Sequence, residues 1–102
     1  MTQGMFAAGQ LLGAEEAWVH ALERDAAHAR AWCNLGVVRR MRGNVAGAED
    51  ALHRAVALDP AYGLAWANLA AVQETRNRPA EAVEAAERAL ARSPGDGLAN
   101  LV

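Results

Sequence analysis

The residues able to do chemistry are sparse in this chain, and their spacing argues against most chemistries. Three histidines, His20, His28 and His53, fall on separate segments with no metal-ligand spacing, and no cysteine pair accompanies them. Cys33 is the single cysteine, so no disulfide forms within the chain and a reducing compartment is the simpler expectation. A thiol nucleophile needs a positioned base, and no such context can be read around Cys33; a small buried or groove-lining apolar residue is the better reading. Glu81, Glu84 and Glu87, with Arg88 four residues after Glu84, form a solvated helix face with an ion pair rather than an acid–base couple. Arg39, Arg40 and Arg42 cluster where a helix should end. The helix dipole alone accounts for cations there, and an acidic partner is the functional alternative. Glycines 9, 13, 43, 47, 95 and 97 are expected at turns or helix crossings and make no phosphate-binding pattern. No catalytic residue, metal or cofactor is assigned. Asn34 and Asn68 are left, each offering both a donor and an acceptor.

A repeated scaffold must position them. Residues 29–62 align on 63–96 with identity at Ala31, Trp32, Asn34, Leu35, Val38, Arg42, Ala46, Ala48, Ala51, Arg54, Ala55, Ala57 and Pro60 and their partners thirty-four later. Chance in an alanine-rich chain gives several matches, but it does not also hold Trp, Asn, Leu and Pro in register. Shifted back by the same period, Gly9, Gly13, Ala14, Glu15, Ala17, Ala21 and Asp25 match Gly43, Gly47, Ala48, Glu49, Ala51, Ala55 and Asp59. A fixed period of this length marks stacked helical units. The units are a truncated first repeat over 1–28, repeats at 29–62 and 63–96, and a remnant over 97–102, all in one domain.

Each unit reads as two amphipathic helices. Trp32, Leu35, Val38 and Met41 recur every three residues, while Ala48, Ala51, Leu52, Ala55 and Leu58 keep the three-and-four spacing of one helix face. The pattern predicts a short helix within 2–8, then helices near 11–24, 30–42, 45–58, 64–76 and 79–92. Asn44 is placed to cap the fourth of these, and Pro79 suits a first helical position. Asp59-Pro60 and Ser93-Pro94 stop the second helices. Helices of about fourteen residues are marginal alone, so each must stand by packing on its neighbours.

Composition agrees with an all-α fold. Hydrophobic residues are 53% but aromatics only 5%, and alanine favours helices that approach closely. Ten Lys and Arg against twelve Asp and Glu leave a net charge of −2, so no global field draws the chain to nucleic acid or anionic lipid. The uncharged run over residues 1–14 is broken by glycine and glutamine and is too short to span a bilayer. Neither nucleic acid nor membrane is expected as a partner, and a cytoplasmic location is.

The combined pattern resembles the tetratricopeptide repeat (TPR) family, a helix–turn–helix of thirty-four residues. Trp32, Leu35 and Gly36 match its first-helix pattern, and Trp66, Leu69 and Ala70 match more loosely. Ala48 with Leu52 and Ala14 with Trp18 match the second helix, and Pro60 and Pro94 the closing proline. Arg39 and Gln73 stand where the family has large residues, Ala86 replaces a bulky one, and Ala26 replaces a closing proline; weaker local packing is expected at each. The resemblance implies helix–turn–helix repeats stacked as a right-handed α-solenoid, whose first helices line a concave groove.

It also implies a non-enzymatic scaffold or adaptor that binds a peptide or protein segment in that groove. The groove residues would be Arg30, Cys33, Asn34, Val37, Arg40 and Met41, then Leu64, Ala67, Asn68, Ala71 and Glu74. Family members that hold the C-terminal carboxylate of Hsp70- or Hsp90-type tails use cations from successive first helices, whereas Leu64 and Asn68 stand here in the third unit, so that clamp is not expected. Two alternatives stay open. Uncapped ends at Met5, Phe6, Val83, Ala86 and Leu90 would support homo-oligomeric assembly, and the chain would otherwise be the regulatory repeat segment of a larger enzyme such as a glycosyltransferase.

Overall fold

The computed structural model describes the backbone of residues 3–92 and the side chains of residues 9–91. Among the described residues there are five α-helices and no strands: α1 Gln3–Arg24, α2 Ala29–Met41, α3 Val45–Leu58, α4 Gly63–Thr75 and α5 Pro79–Arg92. The helices α2 and α3 form one closely packed pair and α4 and α5 the next; α1 packs on α2, and α3 on α4.

The turns show why the period is thirty-four. Within each pair the chain leaves its first helix through a left-handed residue, Gly43 at φ 87° and Asn77 at φ 62°. These are the residue types that tolerate that region. The closing bonds are duplicated too: Asn44 N–H donates to the Arg39 carbonyl, and Arg78 N–H to that of Gln73. The Asn44 side chain then caps α3 by accepting from Gly47 N–H at 3.0 Å, and α5 opens on Pro79. Between units, Asp25 and Asp59 each accept from the backbone N–H two residues on, at 3.1 Å. The first turn therefore forms without the missing proline, because the aspartate fixes it.

The first segment differs from expectation. Instead of a short helix folded against a second one, residues 3–24 are a single helix. Gly9 is the counterpart of Gly43, but Gln10 comes after it in place of a capping Asn or a proline, and alanines and leucines flank it. A lone glycine costs about 1 kcal/mol in a helix without ending it. A Cβ at Gly9 or Gly13 would meet nothing within 4 Å, so neither is the turn or crossing residue anticipated. Pro94, Gly95 and Gly97 lie outside the described residues.

The core is built mostly from small side chains. Cys33, Ala48, Leu52, Ala55, Val56, Ala65, Leu69, Val72 and Ala85 form the larger cluster, and Leu22, Ala31, Leu35 and Ala51 the smaller, with Trp32 packed against both. At Gly36 α2 approaches α3 so closely that a Cβ would lie 2.7 Å from Leu52 Cγ and 3.1 Å from the Ala48 carbonyl oxygen. Glycine is required there for space.

Candidate partner-binding site

The strip proposed from sequence lies on α2 and α4, so whatever fixes those helices shapes the site. Two repeated devices do this. The tryptophan of each of these two helices donates its indole N–H to a carbonyl six residues earlier, Trp32 to Ala26 at 2.8 Å and Trp66 to Pro60 at 2.9 Å. An arginine from the paired helix stacks over each ring, Arg54 at 5.0 Å and Arg88 at 5.2 Å from the centroid. The tryptophans are therefore half-buried hinges between first helix, loop and second helix.

The second device is a carboxylate at each joint between units. Glu15 of α1 is bound by Arg39 at 3.1 Å and by Arg42. Its counterpart Glu49 of α3 is bound by Arg76 at 2.7 Å, by Arg78 at 3.1 Å and by His53 at 3.2 Å. Burial raises the Glu49 pKa, but hydrogen bonds from Arg76 and His53 and the charges of Arg78 and Arg76 outweigh it, leaving the carboxyl below its ordinary range. Burial likewise raises the Glu15 pKa, and the hydrogen bonds and charges of Arg42 and Arg39 again bring it below the ordinary value. Two of the three clustered arginines are thus committed to the joint. Arg39, at a position where weak packing was expected, donates to Glu15 and to the Gly47 carbonyl, tying α2 to α1 and α3.

With the helices so held, α2 presents Arg30 and Met41 exposed, and Asn34, Val37 and Arg40 half-buried. From α4 come Leu64, Ala67 and Glu74, exposed, and Asn68 and Ala71, half-buried. Apolar exposure is concentrated at the two ends of the strip, with Met41 61% and Leu64 58% accessible. Cys33 does not belong to it. Its side chain is fully buried, and Asn68 Nδ2 donates to its Sγ across 3.8 Å. The register puts position 33 under α4 rather than beside it, so the sulfur becomes core. Burial pushes the thiol pKa up, only partly offset by hydrogen bonds of Tyr62 and Asn68 and by the charge of Arg30. A protonated thiol at neutral pH is a poor nucleophile.

Two residues near the strip were not anticipated. His28 caps α2, its Nδ1 accepting from Ala31 N–H at 3.2 Å. Its counterpart Tyr62 begins α4 and packs half-buried against the larger core cluster; burial and the neighbouring Cys33 raise its pKa. The signal available was position: both sit directly before the first residue of a first helix.

At the far end Val83, Ala86 and Leu90 are all exposed, Val83 at 57% and Leu90 at 71% accessible. A cleft of about 360 Å³ lined by Ala70, Ala71, Glu74, Pro79, Ala82, Val83 and Ala86 separates α4 from α5 there. Leu52 has become Ala86 while Gly36 has become only Ala70, so the third unit is underfilled where the second is tight. Met5 and Phe6 lie outside the described side chains. No described helix is long and apolar enough to cross a membrane.

Comparison with known proteins bears on the same features. A search of curated proteins finds no significant match to this sequence. Among solved structures, MamA is similar at TM-score 0.79 and 22% identity over 86% of this chain and 52% of that one. A second MamA structure gives TM-score 0.74 and 22% identity over 85% and 48%. The second TPR of Spaghetti (RPAP3), bound to the HSP90 peptide SRMEEVD, gives TM-score 0.78 and 24% identity over 86% of this chain and 82% of that one. At these identities the likeness is one of fold, and this chain spans about half the length of either MamA chain. The tetratricopeptide repeat profile matches residues 6–62 and again 42–97. These two matches together take in nearly the whole chain and both stacked helix pairs, and the chain belongs to the tetratricopeptide repeat family.

Proposed function

We infer that the chain is a scaffold without catalysis of its own, which holds a peptide or protein segment along the strip formed by α2 and α4. The observation that carries this reading is the pair Asn34 and Asn68, one repeat apart and both half-buried, on first helices held by the joint carboxylates. Each amide offers both a donor and an acceptor to the peptide groups of an extended segment lying across the two helices. Val37 and Ala71 beside them offer apolar contact, and Arg30 and Arg40 favour an acidic or neutral ligand. The family mostly serves protein–protein interaction, and the RPAP3 domain of the same fold is bound to a peptide. A ligand gripped mainly through its terminal carboxylate is not favoured, because the third unit offers Leu64 and Asn68 instead of cations. Selection of a random peptide library on the immobilised chain tests the reading. Enriched peptides should lose binding to the Asn34→Ala/Asn68→Ala variant while its elution volume is unchanged. Undiminished binding to that variant would overturn it.

A second reading, assembly of copies through their ends, is favoured by one observation. The residues lining the α4–α5 cleft are the counterparts of Gly36, Val37, Arg40, Val45, Ala48, Glu49 and Leu52, the part of the second unit against which α4 and its closing turn pack. A helix of similar kind fits there. Light scattering across micromolar concentrations distinguishes the two: growth in mass abolished by Leu90→Glu supports assembly, and a constant monomer mass removes it.

A further inference from the structure

The two helix pairs share a period but not their fastenings. Among the described residues α3 packs on both α2 and α4, whereas α5 packs on α4 alone. Buried on α3 are Glu49, Leu52 and Val56 along with Ala48, Ala51 and Ala55. Among its described side chains α5 buries only Ala82 and Ala85, and its large apolar residues Val83 and Leu90 are exposed. A helix of fourteen residues stands by the apolar area it buries, so α5 is held weakly.

The specific ties of the second unit are lost in the third as well. Arg39 joins α2 to α3 by donating to the Gly47 carbonyl at 3.3 Å. Its counterpart Gln73 sits beside Glu81, Glu84 and Ala85 at the α4–α5 seam, with Oε1 buried and without a donor. Water satisfies that oxygen once α5 moves away, so the closed arrangement carries a cost that the open one does not. Asn44 caps α3 by accepting from Gly47 N–H, but Arg78, in its place before α5, has no acceptor to offer. The close contact of Gly36 with Leu52 becomes Ala70 facing Ala86 across an open cleft. What remains is Arg88 stacked over Trp66 and, at the opening turn, Arg78 on Glu49. By contrast α1, which also packs on one neighbour, is bound through Glu15 to both Arg39 and Arg42.

We infer that α5 is a detachable latch, which swings from its Arg78 end while α1–α4 stay folded and so uncovers the Trp66, Leu69 and Val72 face of α4. During the opening α4 keeps its place, because Arg76 binds Glu49 of α3 at 2.7 Å. Leu69 and Val72, which share a core cluster with Ala85, then form an apolar surface present only in the open state. The inference stands apart from the reading of the α2–α4 strip, which opening leaves in place.

Native-state hydrogen exchange followed by NMR in sub-denaturing urea tests it. The amides of residues 83–89 should converge on one opening, with a urea dependence smaller than that of global unfolding. Their protection should be at least tenfold below that of Leu52–Val56 in α3 and of Val19–Leu22 in α1. Gln73→Met keeps the volume and removes the orphaned acceptor, and Ala86→Leu fills the cleft. Each should raise protection in α5 several-fold while α3 is unchanged. Exchange of α5 only through global unfolding would overturn the inference. So would protection that declines steadily along α5 without urea dependence, or variants that leave α5 unchanged or raise every helix alike.

Discussion

Replacing Glu49 by glutamine removes one charge at the joint between the second and third units, and the structure sets what that should cost. Glu49 is 5% exposed and accepts from Arg76 at 2.7 Å, Arg78 at 3.1 Å and His53 at 3.2 Å. A hydrogen bond to a charged group contributes about 1.5–3 kcal/mol. The side chains of Arg76, Arg78 and His53 are 33%, 44% and 54% exposed, so water screens each contact and recovers part of the loss. Glutamine keeps one acceptor for Arg76 but turns an NH₂ toward Arg78. A total of about 2 kcal/mol results, which for a domain of this size lowers the thermal midpoint by about 8–16 °C. Circular dichroism melts at pH 7, with the exposed Glu81→Gln as control, measure it directly. The pH profile gives a second reading. Glu49 and Glu15 have folded pKa values below their unfolded ones, so their stabilisation is present above about pH 4.3 and lost as pH falls from there through the lowered folded values. The parent should lose stability on that descent more steeply than Glu49→Gln. A variant melting within about 1 °C of the control, with an unchanged acid slope, would refute the joint reasoning.

The remaining predictions concern packing. Gly36→Ala should destabilise by about 1–2 kcal/mol in urea unfolding, because overpacking against Leu52 and the Ala48 carbonyl exceeds the gain in helix propensity. Gly13→Ala, with open space around the new methyl, should stabilise by about 0.5–1 kcal/mol in the same assay. Trp32→Ala should cost about 3 kcal/mol, since the ring packs on both core clusters. Trp32→Phe should cost about 1 kcal/mol through its lost bond to Ala26; equal melting of Trp32→Phe and the parent would contradict that hydrogen bond.

The helix pairs were legible because the signals that define them are local. Periodic apolar residues, the Asn44 cap and Pro79 each act within one turn of the chain, and helices α3 and α5 begin and end where the pattern placed them. The continuity of α1 was not legible, since Gly9 matches Gly43 in type and differs from it in its neighbours, Ala8 and Gln10 against Arg42 and Asn44. The joint carboxylates were hidden for another reason. Glu15 and Arg42 are 27 residues apart, as are Glu49 and Arg76, and a lone glutamate on a helix looks like any solvated residue until the neighbouring unit is stacked on it. Their signal was present as a recurrence, Glu15 with Glu49 and Arg42 with Arg76, but a recurrence of single residues does not say which of them meet. Cys33 was misplaced on the strip, although it is core, because a residue at the edge between two helix faces is assigned by the neighbour's position, which periodicity within one helix does not carry. Along the strip, the exposure of Arg30, Leu64 and Glu74 followed from helical geometry alone.

The most direct test of the scaffold reading is a chemical-shift map of the isotope-labelled chain with a peptide enriched on it by selection. Binding along α2 and α4 predicts the largest perturbations at Asn34, Val37, Asn68 and Ala71, with α5 and the outer faces of α1 and α3 unchanged. Perturbations confined to Val83, Ala86 and Leu90, or absent from both asparagines at saturation, would contradict it.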